Sequence, residues 1–289
     1  MTEYFLLDVF TDRAFAGNPL AVFAQAEGLD VATMQAVANE LNLSETVFVG
    51  QSTGRNRYPI RIFTPTAELP FAGHPVIGTA HLLVELGMAE RECSLILEAG
   101  VGPLVVEFDR TLASFTTAAP FSILPSPLTR TAAAELLGLD MQQVLSEPVL
   151  ASCGLPYHLI ELASLEVLEK ARPSPHAWTD RISPSGHDQI YLYVTGNGAG
   201  KERDLRTRMF CTEGGVREDP ATGSAAAALA GHLAQQGGRG RWRWQIEQGI
   251  EMGRPSRILA DAERSEDNLA TRIAGEAVIV GRGSLYLPG

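Results

Sequence analysis

Two stretches of the chain are apolar on nearly every side, while most of the remainder alternates between apolar and polar positions. The first is Phe71-Ala72-Gly73-His74-Pro75-Val76-Ile77-Gly78-Thr79-Ala80-His81-Leu82-Leu83. The second is Asp219-Pro220-Ala221-Thr222-Gly223-Ser224, followed by an alanine-rich run to Leu233. Each reads as a glycine turn opening a helix, and a helix apolar all round is buried. In the first, His74-Pro75 puts proline in the first turn, where its missing N–H costs nothing. In the second, Ser224 follows Gly223 as an expected N-cap.

Short apolar or alternating runs predict strands at residues 4–9, which alternate poorly, 20–23, 46–49, 57–63, which alternate well, 94–98, 104–108 and 113–117. A helix capped by Asp30 runs to about Leu41, with Met34, Val37, Ala38 and Leu41 on one face. Pro120, Pro125 and Pro127 form the best candidate linker. Beyond it, helices are expected at 131–137 and 165–171, and strands at 157–162, 190–195, around Arg208, and at 241–247, 258–260, 271–279 and 284–287. Residues 172–188 and 196–204 read as surface loops, and Gly214-Gly215 as a turn. Short strands of antiparallel style with two buried helices predict an α+β fold of two pseudo-symmetric lobes. Each lobe wraps a mostly antiparallel sheet or open barrel around a central helix. The expected division is 1–120 and 128–279, with the C-terminal strand 280–289 a candidate addition to the first lobe.

The two apolar stretches are one motif used twice. Laying Gly73 on Gly223 without a gap brings His74 onto Ser224, Ala80 onto Ala230 and Leu83 onto Leu233. Glu68 and Glu218 each stand five residues before the glycine, and Arg61-Ile62-Phe63 is echoed by Arg208-Met209-Phe210. A half-chain repeat of this kind implies duplicated architecture. Two helix N-termini facing one cleft would make an anion site, since their first N–H groups need acceptors. The cleft between the lobes is therefore the expected ligand site. The plainer reading of each motif alone is a buried helix with an ordinary start.

Composition narrows the classes. The 289 residues suffice for two domains. A net charge of −11 argues against nucleic acid or an anionic membrane as partner. The stretch Arg241-Trp242-Arg243-Trp244 superficially suggests a nucleic-acid stripe, but in so acidic a chain it reads as a strand with tryptophans inward and charges outward. No apolar run reaches transmembrane length, and Met1–Phe5 lacks a signal-peptide start. Cys93, Cys153 and Cys211 are odd in number and far apart, as expected of buried thiols in a reducing cytoplasm.

Among titratable residues, Glu45 stands at a helix-to-strand junction between Leu43 and Val47. A partly buried carboxylate there is suited to take a proton from carbon and return it elsewhere. The plainer alternative is a solvated helix-end glutamate. His74 is a candidate hydrogen-bond partner for a substrate or for Asp219, and the plain reading of Asp219 is a turn residue. Ser224 lacks a nucleophile-elbow pattern, so capping or substrate binding is its expected role. His81 and His232 read as core, while His158, His176 and His187 show no metal-ligand spacing.

Ser44-Glu45-Thr46, Phe71-Ala72-Gly73-His74-Pro75 and Glu218-Asp219-Pro220-Ala221-Thr222-Gly223-Ser224 together resemble the PhzF-like family of phenazine biosynthesis isomerases. The resemblance extends from residues 15–19 to Met252-Gly253-Arg254-Pro255-Ser256. It implies a diaminopimelate epimerase-like fold, a homodimer, no metal and no organic cofactor. It also implies an isomerase acting on a small carboxylate-bearing substrate such as trans-2,3-dihydro-3-hydroxyanthranilate. Carried over by residue, Glu45 is the proton-transferring group. His74, Asp219 and Ser224 line the substrate, and the amides of Gly73 and Gly223 hold a carboxylate. The epimerases of this fold flank the substrate carbon with two cysteines, and neither motif here contains one. A non-thiol epimerase or racemase, and a catalytically silent carboxylate-binding protein, remain the alternatives.

Overall fold

The computed structural model describes residues 1–196, 202–212, 215–266 and 268–286, apart from the side chains of residues 202 and 203. The chain divides into two compact units, Met1–Ala118 with Ile273–Gly289, and Ala119–Arg272.

In the first unit, strand β1 (Thr2–Val9) pairs antiparallel with β2 (Asn18–Phe23). Helix α1 (Val31–Leu41) starts where Asp30 accepts a hydrogen bond from the Thr33 amide and ends at Asn42 in the left-handed conformation. It carries the chain over to β3 (Glu45–Val49), parallel to β2. Strand β4 (Arg57–Phe63) returns antiparallel and turns into the short β5 (Glu68–Leu69). Helix α2 (Gly73–Glu85) follows, then β6 (Leu95–Ala99) parallel to β4. Strands β7 (Gly102–Asp109) and β8 (Leu112–Thr116) extend it as an antiparallel meander. A last strand, Ala277–Leu285, lies antiparallel on β1.

Every residue of α2 from Gly73 to Leu83 is buried, as the unbroken apolar pattern requires. The helix presses close to the sheet at Gly78, where a Cβ would stand 2.5 Å from Leu20 Cδ2 and 2.7 Å from Val9 Cγ2. Leu82 and Leu83 are fully buried, so truncating either to alanine costs about 2–5 kcal/mol. Helix α1 closes a separate core in which Phe23 stacks on Phe48 at 4.9 Å and Phe48 meets Phe63 edge-on at 5.6 Å.

The second unit repeats this order. It begins with β9 (Ser122–Pro125), α3 (Arg130–Leu137), β10 (Val149–Ser152) and β11 (Pro156–Glu161). After α4 (Leu165–Lys170) and α5 (Pro175–Arg181) come β12 (Gln189–Thr195), β13 (Glu202–Thr212) and β14 (Val216–Asp219). Helix α6 (Gly223–Gly237) leads to β15 (Gly240–Gln248) and β16 (Ser256–Arg264). Strand β10 is antiparallel to β11, β11 parallel to β12, β12 antiparallel to β13 and β13 antiparallel to β14. Strand β13 is also parallel to β15, which is antiparallel to β16. The same sequence of pairings runs from β1 to β7 in the first unit. Each motif helix sits between the short hairpin strand and the parallel strand that follows.

Four sequence expectations needed revision. The proline-marked segment 120–127 holds β9, an edge strand paired with β10; proline is tolerated at such an edge. Strand β10 itself was not anticipated. The loop expected over 172–188 contains α5, whose Ser174-Pro175 start is an N-cap followed by an N1 proline and whose Trp178 is buried. The strand expected over 271–279 is broken at Glu276, whose carbonyl accepts the Phe10 amide at 2.8 Å. Of the loop expected at 196–204, residues 197–201 lie outside the described residues. So do Gly214 of the expected turn and Leu287 at the end of the last expected strand.

Candidate functional site

In the first unit, β2 and β3 run parallel with Leu20 opposite Glu45, so Asn18 and Glu45 both fall near the start of their strands. Gly17 makes the entry to β2 possible. Its φ is +65°, and a Cβ there would stand 2.3 Å from the Val9 carbonyl oxygen. The loop before it is fixed by the buried Asp8 carboxylate, which accepts the Phe15 amide at 2.6 Å. Helix α2 brings in the third group. Ala72 is its N-cap with no side-chain capping bond, Gly73 is the first helical residue and His74 the second.

These three elements place the His74 ring between two polar neighbours. Asn18 Nδ2 lies 3.3 Å from His74 Nδ1, and Glu45 Oε2 lies 3.3 Å from His74 Nε2. Asn18 and His74 are buried, and the Glu45 side chain is 16% exposed, partly buried as expected. Burial drives the His74 pKa down to about 3, so the ring is neutral through the physiological range. A neutral imidazole beside a part-buried carboxylate is suited to hand hydrogen bonds, and through the carboxylate a proton, to a third group.

In the second unit, the motif is tied down more tightly. Thr222, not Ser224, is the N-cap of α6, so the expected capping role of Ser224 is corrected. Gly223 takes the first helical position and Ser224 the second, two places further in than the cap. Ser224 Oγ instead lies 2.6 Å from the Tyr157 hydroxyl. The Thr222 hydroxyl donates to Asp219 Oδ2 at 2.5 Å, which makes Asp219 a turn-fixing residue as well as a candidate acid. Gln248 locks this turn. Its amide nitrogen donates to the Asp219 carbonyl at 2.8 Å and to Thr222 Oγ1 at 3.0 Å. Its carbonyl oxygen accepts the Thr222 amide at 3.2 Å and lies 3.1 Å from the buried Tyr191 hydroxyl. Ser256 adds a bond to the Pro220 carbonyl at 2.8 Å.

Of the predicted site residues, Glu45, His74 and Gly73 are gathered at the start of α2. Asp219, Gly223 and Ser224 are gathered at the start of α6. His81 and His232, expected as core, are buried, whereas of the three cysteines expected to be buried only Cys153 is fully so. His81 donates from Nε2 to the Gly275 carbonyl at 3.2 Å, and His158 is clamped by Ser126 Oγ at 2.7 Å and the His187 carbonyl at 3.1 Å. Burial lowers the pKa of both, that of His158 to about 4. All three cysteines are free thiols.

Residues 7–283 match the family model of phenazine biosynthesis-like proteins, PhzC-PhzF. The chain belongs to the PhzF-like family. It is 37% identical to a trans-2,3-dihydro-3-hydroxyanthranilate isomerase of Pseudomonas chlororaphis, covering 99% of this chain and 100% of that protein. It is 38% identical to an uncharacterized isomerase of Mesorhizobium japonicum, covering 99% of each. A PhzF-family phenazine biosynthesis protein of Bacillus anthracis superposes with a TM-score of 0.89 at 23% identity, over 99% of each chain. The PhzF-like assignment thus carries with it the diaminopimelate epimerase-like fold and isomerase activity. No helix among the described residues is long and apolar enough to cross a membrane.

Sequence reasoning passed over three residues at the two motif-helix starts of this PhzF-like chain. Asn18 sits in a Gly-Asn-Pro turn, where asparagine is unremarkable. Gln248 was detectable: Trp244, Ile246 and Gln248 share the inward parity of β15, and a glutamine on that face needs partners. Tyr157 gave no signal in its apolar strand.

Proposed function

We infer that this isomerase acts without a cofactor, moving a proton between carbons of a small carboxylate-bearing substrate. The model reaction is that of trans-2,3-dihydro-3-hydroxyanthranilate isomerase. The observation that carries the reading is the part-buried Glu45 carboxylate 3.3 Å from a buried, neutral histidine. In the proposed step, Glu45 removes a proton from one substrate carbon as the electron pair moves into the adjoining unsaturated system. It then delivers a proton, exchanged with solvent while on the carboxyl, to another carbon, so no net charge or atom is lost. His74 acts beside it as a hydrogen-bonding acid/base group, and Asp219, at the start of α6, is assigned a role of the same kind. The amides at Gly73 and Gly223, whose helices lack a capping side-chain bond, and the Ser224 hydroxyl are assigned to the substrate carboxylate and its neighbours. The working form is proposed to be a cytoplasmic homodimer, in keeping with three free thiols.

The test is incubation with trans-2,3-dihydro-3-hydroxyanthranilate in D2O, followed by product NMR and chiral analysis. An allylic isomer with hydrogen repositioned between carbons supports the reading. Inversion at one carbon without isomerisation replaces it with epimerisation. Binding with neither product nor deuterium uptake leaves a silent binder.

A further inference from the structure

We propose that Asn18 is a positioning residue that holds His74 in the tautomer with its hydrogen on Nε2, the ring nitrogen that lies 3.3 Å from Glu45. The inference rests on the reading of Glu45 as the proton carrier and names what orients its partner. An imidazole beside a carboxylate has two neutral forms, and they do opposite things to that carboxylate. With hydrogen on Nε2, the ring presents the positive end of its N–H dipole beside Glu45 and favours its ionised, basic form. With hydrogen on Nδ1, the facing nitrogen is an acceptor, which repels a carboxylate lone pair and favours protonated Glu45.

The choice is made by whatever touches the far nitrogen. That neighbour is the Asn18 side-chain nitrogen, 3.3 Å from Nδ1. An amide nitrogen is a donor only, so Nδ1 must accept and the ring hydrogen must be on Nε2. Both partners are buried, so water does not compete for either ring position on equal terms. Charging the ring is no escape, because burial keeps it neutral. Asn18 is itself fixed as the first residue of β2, opposite Val9 on β1, and follows a glycine whose left-handed backbone admits no side chain. The side chain therefore has little freedom to swing away. Its amide orientation on one side of the ring, and the Glu45 carboxylate 3.3 Å from Nε2 on the other, set the tautomer.

The experiment reads the tautomer directly and needs no substrate. Protein labelled with 15N at its six histidines is examined by long-range 15N–1H NMR. The His74 ring is assigned from the signal lost in His74→Gln, or by elimination through single replacements of the other five. The expected result is a protonated Nε2 and a bare Nδ1. A hydrogen on Nδ1 overturns the proposal. Asn18→Asp should move the hydrogen to Nδ1, because a carboxylate accepts where the amide donated. An unmoved hydrogen in that variant also overturns it. On trans-2,3-dihydro-3-hydroxyanthranilate, Asn18→Asp should lower kcat by ~10²-fold with KM little changed, the mark of a lost acid/base alignment. A purely structural asparagine would lower the melting temperature and leave the ring hydrogen where it was. If wild-type protein fails to turn over that compound, the functional reading fails while the tautomer result still stands or falls on its own.

Discussion

The two units each contain an arginine–glutamate fork at the same place, in very different surroundings. In the first, Arg61 Nε and Nη2 reach the two Glu68 carboxylate oxygens at 2.7 and 2.6 Å, and the guanidinium lies 5.3 Å from the Phe63 ring centre. In the second, Arg208 makes the same pair of bonds to Glu218 at 2.8 and 2.9 Å, over the Phe210 ring at 4.9 Å. The paired strands agree as well, with Phe63 opposite Glu68 and Phe210 opposite Glu218. Each fork closes the hairpin that feeds a motif helix. The first fork is more than a third exposed, whereas Arg208 is buried and also donates to the Leu168 and Ala171 carbonyls at the end of α4. The duplicated geometry was retained while its energetic weight diverged.

The starts of the two motif helices differ in a parallel way. At α2 the polar groups are a histidine and a carboxylate with room to exchange hydrogen bonds. At α6 the turn is held by donors and acceptors around Gln248, with the Asp219 carboxylate tied in through the Thr222 hydroxyl. One backbone device thus carries a histidine–carboxylate pair in one unit and a braced carboxylate in the other.

Breaking the buried fork should have the largest effect on stability. Glu218→Ala strands a buried guanidinium and should cost about 3 kcal/mol or more in denaturant unfolding. Glu68→Ala, the matched change at the exposed fork, should cost under ~1 kcal/mol. Equal losses would show that the two forks are energetically alike. Next in size, Gln248→Leu leaves the Thr222 amide and its hydroxyl short of partners and should cost about 1–3 kcal/mol.

The duplication, though not the contrast, was legible beforehand. The gap-free match of Gly73 to Gly223 located two helices that both begin at their glycine, and the Arg61/Arg208 and Glu68/Glu218 echoes marked the residues of both forks without showing that they pair. Burial of α2 and α6 followed from the lack of any polar face. What escaped notice depended on three-dimensional partners: Asn18 looks like any turn asparagine until a histidine 56 residues away meets it. Helix α5 was hidden because Pro173, Pro175 and Pro184 read as breakers, although Ser174-Pro175 is also a helix start. Ser224 stands two positions past the true cap, which only the backbone at Thr222 could decide.

A smaller effect sharpens the comparison through pH. His74 has its folded pKa depressed from 6.5 to about 3, so below pH 6.5 the unfolded chain gains a proton that the folded one refuses. Stability from this residue is present above about pH 6.5 and is lost as pH falls toward 3. His74→Gln should flatten part of the slope of unfolding free energy over that window. An unchanged slope would mean the ring is protonated in the fold.

The central claim, that Glu45 carries the migrating proton, is tested most directly by solvent exchange in D2O with Glu45→Gln beside wild-type protein on trans-2,3-dihydro-3-hydroxyanthranilate. Wild-type protein should place deuterium at the newly protonated carbon. The variant, folded to the same circular-dichroism spectrum, should lose ~10³-fold in rate. Deuterium uptake at the wild-type rate in Glu45→Gln would contradict the account.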